Sequence, residues 1–131
     1  MRAFVAIELP EAAREAIWVD TAPLRQPPGR ISWVRTENMH LTLKFLGNVT
    51  DGQLETVRQT ISPLLAAIPG FLLRIEGIGA FPNARRPSVI WAGITPLEGG
   101  LECTQAAAEV AARAGGIQRQ DRPFKPHMTI A

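Results

Sequence analysis

The chain contains two histidines, and each one opens the same short pattern. The first copy is His40-Leu41-Thr42-Leu43 and the second is His127-Met128-Thr129-Ile130. At average residue usage, threonine two places after a histidine with leucine or isoleucine one place further arises by chance at roughly 1 in 100, and at both histidines at roughly 1 in 10,000. The repetition therefore indicates one function that the two segments share.

Each copy of this pattern is expected to form a β-strand. Successive strand residues point to opposite faces, so the histidine and the threonine lie on one face and the two aliphatic side chains lie on the other. The aliphatic face can anchor the strand in a core. If the two strands approach each other, His40, Thr42, His127 and Thr129 line one groove.

Two imidazoles beside two hydroxyls suit the hydrolysis of a cyclic phosphodiester. One group must take a proton from water and another must give a proton to the departing ribose oxygen. Histidine, with an unperturbed pKa of about 6.5, serves either role near neutral pH. The threonine hydroxyls can donate hydrogen bonds to the nonbridging phosphate oxygens. This chemistry requires neither a metal nor a cofactor, and we predict none.

Two other interpretations of the histidines compete with catalysis. A single His-x-Thr segment on a strand would favour a structural histidine, but two copies on distant segments favour a shared site. A zinc site would want three or four ligands, and neither Cys-x-x-Cys nor His-Glu-x-x-His accompanies these histidines. Cys103 lies on a predicted helix.

The elements that position the motifs follow the order β-α-β-β-α-β-β-α-β. Elements that alternate over short connections are typical of an α+β or an α/β protein. Thr50 and Gln53 have the spacing of a capping box at the start of the second helix, and Pro63 is expected to end that helix early. The predicted strands cover residues 2–9, 31–34, 40–46, 71–78, 88–94 and 126–130, and the predicted helices cover residues 10–20, 50–65 and 101–114.

Composition limits the class of protein. The chain has 131 residues, 46% hydrophobic and 20% charged, as in a soluble globular domain. The sequence has neither an apolar stretch of about 20 residues nor a signal peptide, so no membrane association is expected. The single Cys103 cannot form an intramolecular disulfide, and a cytoplasmic protein is expected.

The charge balance favours a local phosphate pocket. Fourteen basic and 12 acidic residues leave a net charge of +2, which does not suggest a broad cationic face for duplex nucleic acid. Lys44 is expected to share the face of His40 and Thr42 and to contact phosphate. Arg122 and Lys125 lie just before the second motif and are further candidates for phosphate contacts.

Four segments together resemble the two-histidine (2H) phosphoesterase superfamily. Within it, the chain looks like the bacterial and archaeal RNA 2',3'-cyclic phosphodiesterases, historically called 2'-5' RNA ligases. The matching segments occur in the family's order and spacing, and they span the whole chain. They are residues 2–7 (RAFVAI), 38–47 (NMHLTLKFLG), 86–93 (Arg86-Pro87 leading to IWAG) and 122–129 (RPFKPHMT).

The resemblance implies a bilobal α+β fold, in which two ferredoxin-like lobes related by a pseudo-twofold flank a central cleft between antiparallel sheets. It implies one domain over residues 1–131 made of two intertwined lobes. Family members usually continue well past the second motif, so the C-terminal strands of one lobe are expected to be missing from this chain. The protein is expected to be a monomer.

The resemblance also implies roles for the motif residues. His40 would be the proton donor to the leaving 3' oxygen and His127 the proton acceptor that activates water, while Thr42 and Thr129 hold the phosphate. The substrates would be RNA ends carrying a 2',3'-cyclic phosphate, tRNA fragments included. The product would be a 2'-phosphomonoester, and 2'-5' ligation would be the reverse reaction.

Two alternatives to an RNA phosphodiesterase stay open at this point. The same groove could bind RNA ends without catalysis. The same chemistry could also act on a small cyclic phosphate of the nucleotide or ADP-ribose type. Product formation from a cyclic-phosphate oligonucleotide would distinguish an RNA phosphodiesterase from a protein that only binds RNA ends. Comparing the turnover of RNA with that of small cyclic phosphates would distinguish it from a small-molecule phosphodiesterase.

Overall fold

A computed structural model describes residues 1–25, 31–81, 85, 88–119 and 123–131. Within these residues the chain forms five strands, three α-helices and two short 3-10 turns. The strands are β1 (Arg2–Glu8), β2 (His40–Asn48), β3 (Leu73–Phe81), β4 (Val89–Pro96) and β5 (His127–Thr129), the helices are α1 (Glu11–Asp20), α2 (Asp51–Ala66) and α3 (Gly100–Ala114), and the turns are Ala22–Arg25 and Thr36–Asn38.

The strands form two antiparallel sheets in the described part of the chain. Strand β1 pairs with β2, and the second sheet has the order β3-β4-β5. Helices α2 and α3 pack against each other, and α3 also packs on β2. The prediction of an α+β protein with antiparallel sheets is therefore confirmed.

The two motif strands lie against one core. Strand β2 contacts β5 although the two belong to different sheets. Leu41, Leu43, Met128 and Ile130 all belong to a single buried cluster, and Leu41, Met128 and Ile130 are 0% exposed. The prediction that the aliphatic half of each motif anchors its strand is confirmed.

The capping box at the start of α2 is also confirmed. The backbone N–H of Gln53 donates to the Thr50 hydroxyl at 3.1 Å, and the backbone N–H of Thr50 donates to Gln53 Oε1 at 3.0 Å. The amide nitrogen of Gln53 then donates to the carbonyl of Gly115 at 3.1 Å. The cap therefore joins the start of α2 to the end of α3.

One predicted strand and several predicted boundaries are wrong; β3, for example, covers Leu73–Phe81 rather than residues 71–78. Residues 31–34 do not form a strand, because Ile31 and Ser32 are exposed and Val34 donates one backbone hydrogen bond, to Ile130, among the described residues. Pro63 does not end α2, which continues to Ala66. Gln59, whose carbonyl loses its helical partner at Pro63, is exposed, so water can replace that bond.

None of the helices in the described residues combines the length and the apolar character that a bilayer crossing requires.

Candidate active site

The two imidazoles are oriented by the same local contact. His40 begins β2, and its Nδ1 lies 2.8 Å from the carbonyl oxygen of Asn38. His127 begins β5, and its Nδ1 lies 2.8 Å from the carbonyl oxygen of Lys125. A carbonyl only accepts hydrogen bonds, so Nδ1 is the donor in both rings and carries a proton. Nε2 of each ring is left to exchange a proton with a substrate.

The ring of His40 packs against aromatic side chains of its own sheet. Phe4 stacks on it with ring centroids 4.9 Å apart and an interplanar angle of 19°. Phe45 lies 6.3 Å from Phe4, its cross-strand partner. Phe4 is 49% exposed and Phe45 is 63% exposed, so both rings present surface to solvent beside the imidazole.

The ring of His127 has aromatic neighbours from the second sheet. Phe81 meets it edge-on at 5.8 Å, Trp91 meets it edge-on at 6.2 Å, and these two rings lie 5.6 Å from each other. Strand β4 aligns Trp91 with Thr129 and Gly93 with His127. Each histidine therefore stands beside an aromatic cluster of its own sheet.

The motif threonines have the accessibility that a phosphate contact needs. Thr42 is half-buried and Thr129 is exposed. Each follows its histidine by two positions within a strand, so each shares its histidine's face. In the described part of the chain neither hydroxyl bonds to another protein group, which leaves both available to a ligand.

The expectation that Lys44 shares the face of His40 and Thr42 is wrong. Val5 pairs with Lys44 and Ala6 pairs with Thr42, so β2 carries one extra residue, Leu43, opposite that step of β1. Such a bulge shifts the alternation of faces by one position. Lys44 is consequently buried, with 3% of its surface exposed, and we exclude it from the phosphate contacts.

The other basic candidates lie before β5. Lys125 is exposed, and its carbonyl is the one that orients His127. Arg122 lies outside the described residues. No group of three or more His, Cys, Asp and Glu side chains that could hold a metal occurs among the residues that the structure describes.

Two surface depressions lie away from the histidines. One is lined by Arg14 and Thr36 together with three glutamates, and the other by residues 67–71, 98–100 and Cys103. Neither contains a motif residue, and three carboxylates around the first disfavour a phosphate ligand. We place the candidate site at the histidines because the groups able to move protons and bind phosphate lie there.

Sequence reasoning missed the contact between Phe4 and His40. The signal was present in β1, whose alternation puts Phe4 on the same face as Ala6 and Glu8 rather than with the aliphatic residues. In the antiparallel pair, Glu8 aligns with His40. An aromatic residue on the polar face of this strand was therefore a candidate neighbour of the first motif.

Gly79 makes room for the indole that packs against His127. A Cβ atom at Gly79 would overlap Cζ2 of Trp91. We expect Gly79→Ala to displace this ring, lower the free energy of unfolding by about 1–3 kcal/mol, and reduce turnover through His127. Urea unfolding followed by circular dichroism measures the first effect.

Gly70→Ala is the matched control, since a Cβ there meets nothing within 4 Å. Equal stability of the two variants would show that the indole does not need the space above Gly79.

The sequence of this chain is similar to those of known phosphoesterases. The profile of the family described as LigT like phosphoesterase matches residues 7–91. The RNA 2',3'-cyclic phosphodiesterase of Aquifex aeolicus is 37% identical over 101 residues, which cover 75% of this chain and 53% of that protein. The enzyme of the same name from Archaeoglobus fulgidus is 34% identical over 131 residues, which cover 99% of this chain and 71% of that protein.

Solved structures have the same fold. A crystal structure of a Thermus thermophilus protein has a TM-score of 0.81 and 30% identity, and covers 99% of this chain and 73% of that chain. The crystal structure of E. coli LigT complexed with 3'-AMP has a TM-score of 0.73 and 30% identity, and covers 98% of this chain and 71% of that chain. The chain thus spans about half of the Aquifex protein and about 70% of the Archaeoglobus and E. coli proteins.

Proposed function

The chain belongs to the LigT-like phosphoesterase family, and we propose that it opens 2',3'-cyclic phosphates at RNA ends to give 2'-phosphomonoesters. One observation carries the proposal. The two His-x-Thr segments lie on strands that share one core. In each segment a backbone carbonyl accepts a hydrogen bond from Nδ1 of the histidine, which leaves Nε2 free to exchange a proton with a substrate. This arrangement supplies two equivalent proton-transfer groups.

The proposed reaction divides the proton transfers between the two rings. Nε2 of His127 accepts a proton from water as the water oxygen bonds to phosphorus. The bond from phosphorus to the 3' oxygen breaks, and that oxygen takes a proton from Nε2 of His40. Thr42 and Thr129 donate hydrogen bonds to the nonbridging oxygens, where negative charge collects. Exchange with solvent then restores both rings.

Exposed aromatic rings support an RNA substrate. Phe4 and Phe45 on one side, and Phe81 on the other, present between 47% and 63% of their surface to solvent beside the histidines. Nucleobases stack on such rings with little sequence preference. We propose that Lys125 and Arg122 also contact the phosphates of the RNA. We further propose that tRNA fragments are among the substrates. An RNA substrate and an exposed, unpaired Cys103 also suit a cytoplasmic protein.

One domain with two lobes carries this chemistry in the proposal. Both motif strands contribute to the same buried cluster, which supports two lobes that share one core. All the groups assigned to the reaction lie within this chain, and a monomer suffices. Reverse reaction with an RNA 5'-hydroxyl in place of water would give a 2'-5' linkage.

An oligonucleotide that ends in a 2',3'-cyclic phosphate tests the proposal directly. We expect its conversion to a 2'-phosphate end, resolved by chromatography and by resistance to a 3'-specific phosphatase. We expect the rate to be unchanged in EDTA. The rate should fall on both sides of an optimum pH, because the base must be neutral while the acid is protonated.

The outcomes distinguish the competing functions. Binding of this oligonucleotide without a product would identify an RNA-end-binding module. Faster turnover of cyclic mononucleotides or of an ADP-ribose cyclic phosphate would identify a small-molecule phosphodiesterase. A 3'-phosphate product would contradict the assignment of the 3' oxygen as the leaving group.

A further inference from the structure

Lys44 is the one charged side chain that is buried among the described residues. Its side chain is 1% exposed, and its Nζ lies 3.3 Å from Oε1 of Glu109, whose side chain is 23% exposed. Nζ also donates to the carbonyl oxygen of Gln118 at 3.0 Å. Gln105 donates to the same carboxylate oxygen at 3.3 Å, so the ion pair is part of a small network.

Stability is a poor explanation for a lysine at this position. Removing a charge from water costs several kcal/mol, and an apolar side chain of similar volume is often as stable as a buried ion pair. Leu43, just before it in β2, and Leu46, two residues after it, are buried aliphatic residues, so this part of the core accommodates apolar side chains. A lysine at this position is better explained by the fixed geometry of its ion pair with Glu109 and its hydrogen bond to the carbonyl of Gln118.

The partners of Lys44 connect the two halves of the candidate site. Lys44 lies on β2, the strand that carries His40 and Thr42. Gln118 lies in the segment that leads from α3 to β5, and the carbonyl of Lys125 near the end of this segment orients His127. The ammonium group of Lys44 therefore ties the strand of the first motif to Gln118, seven positions before Lys125, whose carbonyl orients the second imidazole.

We propose that Lys44 is a positioning residue for His127, acting through the backbone of Gln118, in the reaction described under the proposed function. Lys44 contacts no substrate. It ties Gln118 to the strand of the first motif, and we expect this tether to set the separation of the two proton-transfer groups. The bulge at Leu43 is what turns Lys44 inward to reach this segment.

Lys44→Met tests this role, because it removes the ammonium group and keeps an unbranched apolar side chain. The chain has two histidines, so proton NMR resolves one ring resonance for each, assigned with His40→Gln and His127→Gln. We expect Lys44→Met to shift the Cε1 proton of His127 and to leave that of His40 in place. We expect kcat/KM for a 2',3'-cyclic phosphate to fall roughly 10- to 100-fold, carried by kcat, since small misplacements of reacting groups have effects of that size.

Two further variants separate positioning from general effects. Arg58→Met removes an exposed cation from α2 and should change neither resonance. Glu109→Gln keeps an oxygen acceptor and leaves the bond to Gln118, so the His127 resonance should move far less than in Lys44→Met. If Lys44→Met fails to fold, Lys44→Gln, whose amide is too short to hold both partners, should shift the His127 resonance in its place.

An unmoved His127 resonance, or equal shifts of both histidines, would overturn the proposal. The NMR measurement does not depend on turnover. If the wild-type protein fails to hydrolyse cyclic phosphates, the proposed function fails, while the effect of Lys44 on His127 is still measured.

Discussion

Replacing either His40 or His127 with alanine should lower kcat for cyclic-phosphate hydrolysis by roughly 10²–10⁴-fold, the usual contribution of a general acid or base. Each ring is half-buried and, among the residues that the structure describes, makes one hydrogen bond, to a carbonyl two residues earlier. The loss of one such bond costs about 1 kcal/mol, so both variants should stay folded. Stopped-time assays with circular dichroism on the same samples measure both quantities.

Asparagine is the matched replacement for these histidines. Its amide nitrogen occupies a position close to Nδ1 and can donate to the same carbonyl, but it provides no group at Nε2. His40→Asn and His127→Asn should therefore be as stable as the wild type and as inactive as the alanine variants. Because the two rings act in one step, the double variant should be little worse than either single variant. Undiminished activity in any of them would rule out the assigned mechanism.

Thr42→Val and Thr129→Val should each lower kcat by roughly 10²-fold, the effect of removing one donor from a developing oxyanion. Valine has the shape and the strand preference of threonine, and neither hydroxyl bonds to another group in the described part of the chain. The free energy of unfolding should consequently change little. Steady-state kinetics with saturating cyclic phosphate gives the effect on kcat.

Serine at the same positions keeps the donor and loses a methyl group. We expect Thr42→Ser and Thr129→Ser to retain most of the activity. A serine variant as inactive as its valine counterpart would show that the methyl group matters, and that these hydroxyls do not bind the phosphate.

The alternation of polar and aliphatic residues along each motif was enough to predict which of its side chains are buried in the core. Leu41 and Met128 are both fully buried, as alternation requires, while their histidines are half-buried on the other face. Alternation failed at Lys44, because a bulge is set by the pairing of β2 with β1 and leaves no reliable mark on the sequence of one strand. The buried network around Lys44 was unpredictable for the same reason.

Contacts between distant segments set the limit of prediction elsewhere too. Residues 31–34 have the composition of a strand, but within the described ranges they lack the ladder of hydrogen-bonded partners that a strand requires. The alternation of β1 indicates which face Phe4 occupies, but its stacking on His40 also depends on the register of β1 against β2, which the sequence does not specify. The carbonyls that orient the two imidazoles belong to Asn38 and Lys125, and any residue type supplies a carbonyl.

The distances from one bound phosphate to both imidazoles test the central claim most directly. They can be measured in a crystal of this protein grown with a nucleoside 2'-phosphate. We expect oxygens of a single phosphate to lie roughly 2.7–3.2 Å from Nε2 of His40 and from Nε2 of His127. A phosphate bound to one ring while the other ring faces a separate surface would contradict the two-histidine mechanism.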